Sequence, residues 1–342
     1  MVVKAGDPVI PGNRPIPSPG VNEVLVKVLI AGLNPHDQLI RDHAYFVGDN
    51  IPAPLAIDIV GTIFALGEHV KNFEVGDVVF GNGDPVSPNH MGTQEYTLLD
   101  ADFMARVPSS ITLDEATTLP LNALTMYIAL FDASTLAIPS PLTPAGQKFD
   151  YSNISIAIIG GSSNCGMLAL QLAKWAGFGT VVAIANKKKT DLLHEYGATS
   201  VIDRMLSDDF IESEVRKIVG DKLLHVCDAV NVTDQTLAVR LLSNTQKGIM
   251  VPLTHRARMD ESKLSAKTSG YEIRKFVCRP VQKRELASTF WKAFPGLVEK
   301  GVIKPTEFSV IKGLDEEKIN ETLNQYRDYQ YPRRCNVHVS DV

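Results

Sequence analysis

The sequence predicts an α/β protein of two domains, organised on a doubly wound parallel sheet. Three observations predict it. At 342 residues the chain is longer than a single domain usually runs. Between residues 154 and 300, β-branched apolar runs alternate with segments of helical spacing, which means a parallel sheet covered by helices on both faces. Within that region, residues 154–177 read as strand, small-residue turn and helix, the first half of a dinucleotide-binding βαβ unit.

The elements follow in chain order. Residues 1–20 carry five prolines and little periodicity, so they form an irregular arm. Val24 to Ile30 is a strand that runs through a turn at Ala31 to Asp37 into a short helix. Residues 55–67 alternate enough for one or two β segments, and Gly76-Asp77 turns the chain into another strand. Gly, Pro, Asn and Ser make 82–92 a loop. Tyr96 to Leu99 and Phe103 to Val107 are further strands. Thr112-Leu113-Asp114-Glu115 has the form of a capping box, and Leu119 to Leu130 continues as an apolar helix. Pro139, Pro141 and Pro144 make 138–150 a loop. Beyond the central stretch, strands are predicted at 180–185, 199–202, 224–229, 247–252 and 273–278. Helices are predicted at 188–196, 207–219, 233–243 and 284–300. The tail carries a strand near 308–311, a helix at 315–327 and a strand from Cys335 to Val339.

The central stretch carries the chemistry. A pyrophosphate binds against backbone N–H groups at a helix N-terminus, where the helix dipole favours negative charge. Only small residues let the backbone come that close. Gly160 permits the tight turn and Gly166 lets the helix pack on the strand. Gly161, Asn164 and Cys165 complete the turn, and Ser162 and Ser163 add hydroxyl donors. The spacing departs from G-x-G-x-x-G, so the competing reading is an ordinary strand-to-helix turn. After the second strand, the place where an NAD-binding unit has Asp or Glu holds Asn186, followed by Lys187, Lys188 and Lys189. An acid would repel a 2′-phosphate, whereas Asn with ammonium groups attracts one, which favours NADP(H). The competing reading is that the lysines solvate a helix surface.

Composition excludes several classes. Apolar residues are 44% of the chain, enough for full cores. A net charge of −5 gives no basic footprint for nucleic acid. No run approaches the ~18 apolar residues of a membrane helix, and the N-terminus lacks a signal-peptide core. Cys165, Cys227, Cys278 and Cys335 lie far apart, without the C-x-x-C spacing of a zinc site or redox pair. No metal site is predicted, and a reducing, cytoplasmic setting fits. No G-x-S-x-G occurs, so a hydrolase has no support.

Several segments together resemble the medium-chain dehydrogenase/reductase superfamily over nearly the whole chain. They are residues 28–37, 58–61, 73–81, Leu119-Pro120 with Thr125-Met126-Tyr127, the Gly160 turn, 196–203 and 227–230. Zinc alcohol dehydrogenases of that superfamily carry a metal-binding Cys just after the first strand. Here the place holds Asn34-Pro35-His36-Asp37, similar to the Asn-Pro-Ser-Asp-like motif of the zinc-free quinone and enoyl reductase branch. The insertion at 138–144 resembles fungal stand-alone enoyl reductases that act in trans on polyketide synthases. His36 stands where Ser is usual, Ala56 where Gly is common, and Arg204 where Tyr often follows Asp203.

The resemblance implies a GroES-like, mainly β catalytic domain made from 1–120 and 301–342, with a Rossmann nucleotide-binding domain at 121–300 inserted into it. It implies NADPH as cofactor and hydride transfer to an α,β-unsaturated thioester or enone, with a polyketide synthase as partner. Two alternatives stay open: a zinc-free quinone or enone reductase on free small molecules, and a cofactor-binding biosynthetic partner without reductase activity. Thr125 and Asn34 are the implied catalytic residues. The implied cofactor contacts are Pro35, His36 and Asp37, the turn Gly160 to Cys165, Asn186 to Lys189, Arg204, Asn231, Leu253, Thr254, Arg333 and Arg334. Asn122, Leu124, Met126 and Phe276 are the implied substrate wall, in a cleft between the domains. His36 reads as a cofactor contact or a hydrogen-bonded histidine at a helix start, ahead of the competing reading as a proton donor.

Overall fold

The computed structural model describes residues 1–254, 257–330 and 333–341. It divides into two compact units. The first comprises Met1–Leu121, Arg279–Gly301 and Pro305–Val342, and the second comprises Asn122–Cys278 and Val302–Lys304.

The first stretch of chain contains β1 (Glu23–Leu33), α1 (Pro35–His43), β2 (Asp58–Leu66), β3 (Val78–Asn82), β4 (Tyr96–Asp100), β5 (Met104–Arg106) and α2 (Leu113–Thr117). β1 pairs antiparallel with β2 along one edge and β4 along the first half of the other. Its β-branched residues Val24, Val26 and Val28 are fully buried, as a strand covered on its inner face requires. The capping box at Thr112 forms: its side chain accepts from Glu115 N, and the Glu115 carboxylate accepts from Thr112 N at 2.8 Å.

The second unit opens with α3 (Pro120–Phe131), followed by β6 (Ser155–Ile159), α4 (Asn164–Ala176), β7 (Thr180–Ala185), α5 (Thr190–Tyr196), β8 (Ser200–Asp203), α6 (Asp208–Val219), β9 (His225–Asp228), α7 (Thr236–Leu241), β10 (Gly248–Pro252) and β11 (Tyr271–Ile273). All six strands are parallel, in the order β11-β10-β9-β6-β7-β8. Connections run outward from β6 in one direction and from β9 in the other, so the topological switch point lies between these neighbours.

The last strand of this sheet is not where it was expected, at 273–278: β11 runs Tyr271–Ile273 and shares only Ile273 with that range. β11 ends at Ile273, and a proline explains it. On β10, Ile249 and Leu253 donate toward β9, while Met250 O accepts from Arg274 N on the β11 side. The next N–H facing β11 would be that of residue 252, and Pro252 has none, so the ladder stops.

The chain then returns to the first unit through α8 (Arg284–Glu299), β12 (Phe308–Lys312), α9 (Glu316–Arg327) and β13 (Arg334–His338). β13 pairs with β1 and β12, completing the seven-stranded sheet. The boundary falls at 278/279, not near 300 as expected, because α8 packs on the first unit. Its Trp291 and Phe294 rings lie 5.3 and 5.8 Å from that of Phe80 on β3. Helical periodicity shows that a face is buried, but not which sheet covers it. No helix among the described residues is long and apolar enough to cross a membrane.

Candidate functional site

The chemistry of the second unit gathers at the carboxyl ends of its strands, where an open parallel sheet binds ligands. β6 ends at Ile159, and Gly160 turns the chain with φ +81°. Gly160 N and Gly161 N both donate to Ile184 O of β7, at 2.9 and 3.1 Å. An added Cβ at Gly160 would stand 2.4 Å from Val230 Cγ1, and one at Gly166 would stand 2.1 Å from Gly160 O. Both glycines are therefore required by close approach. Ser163 is the N-cap of α4, its Oγ accepting from Gly166 N at 3.0 Å. The turn thus presents a helix N-terminus beside the switch point, the geometry of an anion cradle.

A basic group flanks the cradle. In the parallel register of β7 and β8, Ala185 faces Asp203, so Asn186 and Arg204 leave adjacent strand ends. Arg204 N donates to Ala185 O at 2.9 Å. Asn186 N donates to Ser162 Oγ at 3.4 Å, and its Oδ1 accepts from Lys188 N at 3.0 Å. Lys187, Lys188 and Arg204 are exposed, and Lys189 is half-buried. None of the four makes an ion pair among the described residues.

Across the switch point, Asp228 ends β9 fully buried. Its carboxylate accepts from Val230 N, Asn231 N and Asn231 Nδ2 at 3.2, 3.0 and 2.9 Å. Burial outweighs these donors and pushes its pKa up to about 6. Thr254 donates its hydroxyl to Asn231 O, while Gln235 Nε2 reaches Thr254 O at 3.0 Å. Leu253 N donates to Asp228 O at 2.9 Å. The predicted residues Asn231, Leu253 and Thr254 are thereby brought together by Asp228 and Gln235, which sequence reasoning did not single out. An Asp closing an apolar strand, with Asn three residues on, was the available signal.

Helix α3 is buried from Asn122 to Phe131 except at Thr125, which is half-buried. The Thr125 hydroxyl makes no hydrogen bond among the described residues. Asn122 Oδ1 accepts from Cys165 Sγ at 3.1 Å, linking α3 to the first turn of α4. Leu124 and Met126 are completely closed from solvent, so they pack the core rather than a surface that a substrate meets. Phe276 is half-buried beyond the end of β11.

In the first unit, Asn34, Asp58 and Arg334 form one buried network. Arg334 donates through Nη1 to Asn34 Oδ1 at 2.7 Å and through Nη2 to the Asp58 carboxylate and to Thr117 O. Asn34 Nδ2 donates to Asp58 Oδ2 at 2.6 Å and to Gly32 O at 3.3 Å. Asp58 Oδ1 accepts from Leu121 N at 2.6 Å. Two expectations are corrected here. Both Asn34 donors and its oxygen are taken up by protein, so the amide is structural rather than catalytic. Arg334 is 2% exposed and bound to a carboxylate, so it does not contact a cofactor. Arg333, by contrast, is exposed, 3.5 Å from Glu307.

Asp37 is fully buried at the start of α1, accepting from Asn34 N and Ala56 N, both at 2.7 Å. It is consumed by capping and by holding Ala56. Burial raises its pKa, against the nearby His36 ring, whose Nε2 lies 3.6 Å from Oδ1. Neither nitrogen of His36 has a hydrogen-bond partner among the described residues, so the expectation of a hydrogen-bonded histidine is not met. Pro35 is exposed at the first position of the helix. Ala56 adopts φ +65°, the left-handed conformation that glycine enters without strain. Among the described residues no group of three or more His, Cys, Asp or Glu could hold a metal ion.

Comparison with known proteins agrees with this architecture. The family described as "Alcohol dehydrogenase GroES-like domain" matches residues 20–109, and "Zinc-binding dehydrogenase" matches residues 165–267. The "Trans-enoyl reductase tazE" of Aspergillus terreus is 34% identical over 273 residues, which are 75% of this chain and 85% of that protein. A "Zinc-type alcohol dehydrogenase-like protein" of Staphylococcus epidermidis is 28% identical over 316 residues, 90% of this chain and 88% of its own length. In three dimensions, an alcohol dehydrogenase superfamily protein from Novosphingobium aromaticivorans aligns over 99% of this chain and 98% of its own, with a TM-score of 0.79 at 23% identity. Family matches in both structural units, with a relative this similar over three quarters of the chain, make the protein a member of the medium-chain dehydrogenase/reductase superfamily of oxidoreductases.

Proposed function

We propose that this protein is an NADPH-dependent enoyl reductase acting on an α,β-unsaturated thioester or related enone of polyketide type. One observation carries the reading: an anion cradle at the β6–β9 switch point, flanked by basic strand ends, in a chain 34% identical to a trans-enoyl reductase. The residues fit the cofactor. Gly160 to Cys165 would hold the pyrophosphate against the α4 N-terminus. Lys187, Lys188 and Arg204 would hold the 2′-phosphate, with Asn186 presenting no carboxylate to repel it. Asn231 and Thr254, fixed by Asp228 and Gln235, would line the far side of the switch point.

When bound, the cofactor supplies the hydride that goes to the β-carbon of the substrate. The protein supplies orientation and a polar contact for the developing enolate oxygen. Thr125 is suited to that contact, because it is half-buried where Asn122 to Leu124 and Met126 to Phe131 are buried, and its hydroxyl has no partner among the described residues. The acyl group is held as a free or carrier-bound thioester, and a polyketide synthase is the partner that presents it.

The test is NADPH oxidation by the full chain with a panel of enoyl thioesters and quinones. Turnover of the thioesters without turnover of the quinones is the expected result. Turnover of quinones alone would reassign the protein to quinone reduction. Binding of NADPH without oxidation by any acceptor would refute the enzymatic reading and leave a cofactor-binding partner.

A further inference from the structure

We propose that Cys165 is a site of covalent addition by α,β-unsaturated carbonyl compounds when the cofactor is absent, and that bound cofactor closes it. The proposal rests on the cofactor reading given above. Cys165 is the second residue of the thirteen-residue helix α4 and is half-buried. Cys227 and Cys335 are buried, which leaves Cys278 as the other half-buried cysteine.

Three features converge on the Cys165 sulfur. The first turn of α4 places the positive end of a helix dipole beside it, and a sulfur attacks conjugated carbonyls as an anion, a charge that such an end attracts. The second is Asn122. Its Oδ1 accepts from Sγ at 3.1 Å, yet its Nδ2 is buried with no partner among the described residues and the residue is only 7% exposed. Half a turn of the amide about its Cβ–Cγ bond carries Nδ2 to the sulfur, where it can donate to a thiolate. One side chain thus serves both forms: it accepts from the thiol and donates to the anion. The third is rigidity. Gly160 lies against Val230, Gly161 against Ala183, and Gly166 against Gly160. A turn packed this closely cannot shift to absorb a group on Cys165, so an adduct would stand in the space the pyrophosphate needs.

The addition balances without a further reagent. The thiol proton leaves to water, and the sulfur electron pair forms an Sγ–C bond at the β-carbon. The π pair of the C=C bond moves onto the carbonyl as an enolate, which takes a proton at the α-carbon. Thiol has added across the double bond, nothing has left, and nothing is oxidised or reduced. The class of molecule that the enzyme reduces is therefore a class that inactivates it whenever the cradle is empty. Binding cofactor before substrate is then a protection as well as a kinetic order.

The experiment uses the full chain and N-ethylmaleimide, a conjugated imide, with adducts located by peptide mass mapping. NADP⁺ serves as the protectant because it carries no hydride to reduce the probe. Addition at Cys165 should run several-fold faster than at Cys278. NADP⁺ at about 100 times its Kd should slow it about 100-fold, the factor by which the empty form is depleted. Asn122→Leu, with its fold verified by circular dichroism, should slow addition at Cys165 and leave Cys278 unchanged. Equal rates at the two cysteines overturn the site and leave the cofactor reading standing. Fast addition at Cys165 that NADP⁺ does not slow, in protein shown by fluorescence to bind NADP⁺, overturns the closure and moves the cofactor phosphates away from this turn.

Discussion

Replacing Arg334 by Met tests the buried network in the first unit. Methionine keeps much of the length and removes the charge. Three hydrogen bonds go with it, to Asn34 Oδ1, to the Asp58 carboxylate and to Thr117 O. Asp58 is left as a fully buried carboxylate with two donors, Asn34 Nδ2 and Leu121 N, and no cation. Removing one partner of a buried ion pair costs about 3–5 kcal/mol, because the other charge stays uncompensated. In a unit of this size that lowers Tm by about 10 °C. Adding Asp58→Asn removes the stranded charge, so the double variant should recover about 2 kcal/mol of the loss. The assay is thermal and guanidinium unfolding followed by Trp291, which lies in the first unit, in a Trp175→Phe background that silences the second. Trp291 packs edge-on against Phe80 and reports the unit that holds the network. A single variant within about 1 kcal/mol of its parent would refute the reasoning, since a buried carboxylate without its cation could not be that cheap.

Three further outcomes are expected. Replacing Lys187 and Lys188 by Ala should narrow the preference for NADPH over NADH by about 1–3 kcal/mol for each lost charged contact, measured by fluorescence titration; equal affinity for both cofactors in the unaltered protein would remove the 2′-phosphate assignment. Dialysis against a chelator should leave turnover unchanged, because a catalytic zinc needs three protein ligands and the described residues offer no such group; one zinc per chain, lost together with activity, would overturn this. Thr125→Val should lower kcat about tenfold, the loss of a ~1.4 kcal/mol contact in the transition state, with little change in NADPH affinity; an unaltered kcat would return Thr125 to packing.

Much of this fold was legible in the sequence because its signals are local. The Thr112 capping box, the β-branched run of β6 and the small residues of the turn each form from neighbours within a few positions. The cradle and its basic flank were legible for the same reason. What sequence could not show is where distant segments meet. The polar alternation of β13, with Arg334, Asn336 and His338 on one face and Cys335 and Val337 on the other, reads as a strand wet on one side. In the structure both faces are largely covered. Cys335 and Val337 join the apolar core, while Arg334 reaches Asp58, and Asn336 and His338 reach the Asp114 carboxylate at 2.8 and 3.0 Å. Period alone cannot tell a solvent-facing polar row from one matched by carboxylates about 220 to 280 residues earlier. The same gap misplaced α8.

The network also gives a physical reason for Asn at the position where zinc alcohol dehydrogenases have a metal-binding Cys. Two buried carboxylates, Asp37 and Asp58, lie around residue 34, and among the described residues Arg334 is the one guanidinium bound to either. A thiolate there would add a third negative charge to a site already short of positive charge, and burial without a balancing cation is prohibitive. It would need a metal to hold it. The neutral amide instead donates to Asp58 and accepts from Arg334 at once, closing the ion pair into a ring that no charged side chain of that size could complete. Gly32 belongs to the same arrangement: an added Cβ would stand 2.6 Å from Arg334 Nη2, so the strand must be bare where the guanidinium crosses it. Asn34, Gly32, Asp58 and Arg334 therefore constrain one another, and changing any one of them would require changing the others.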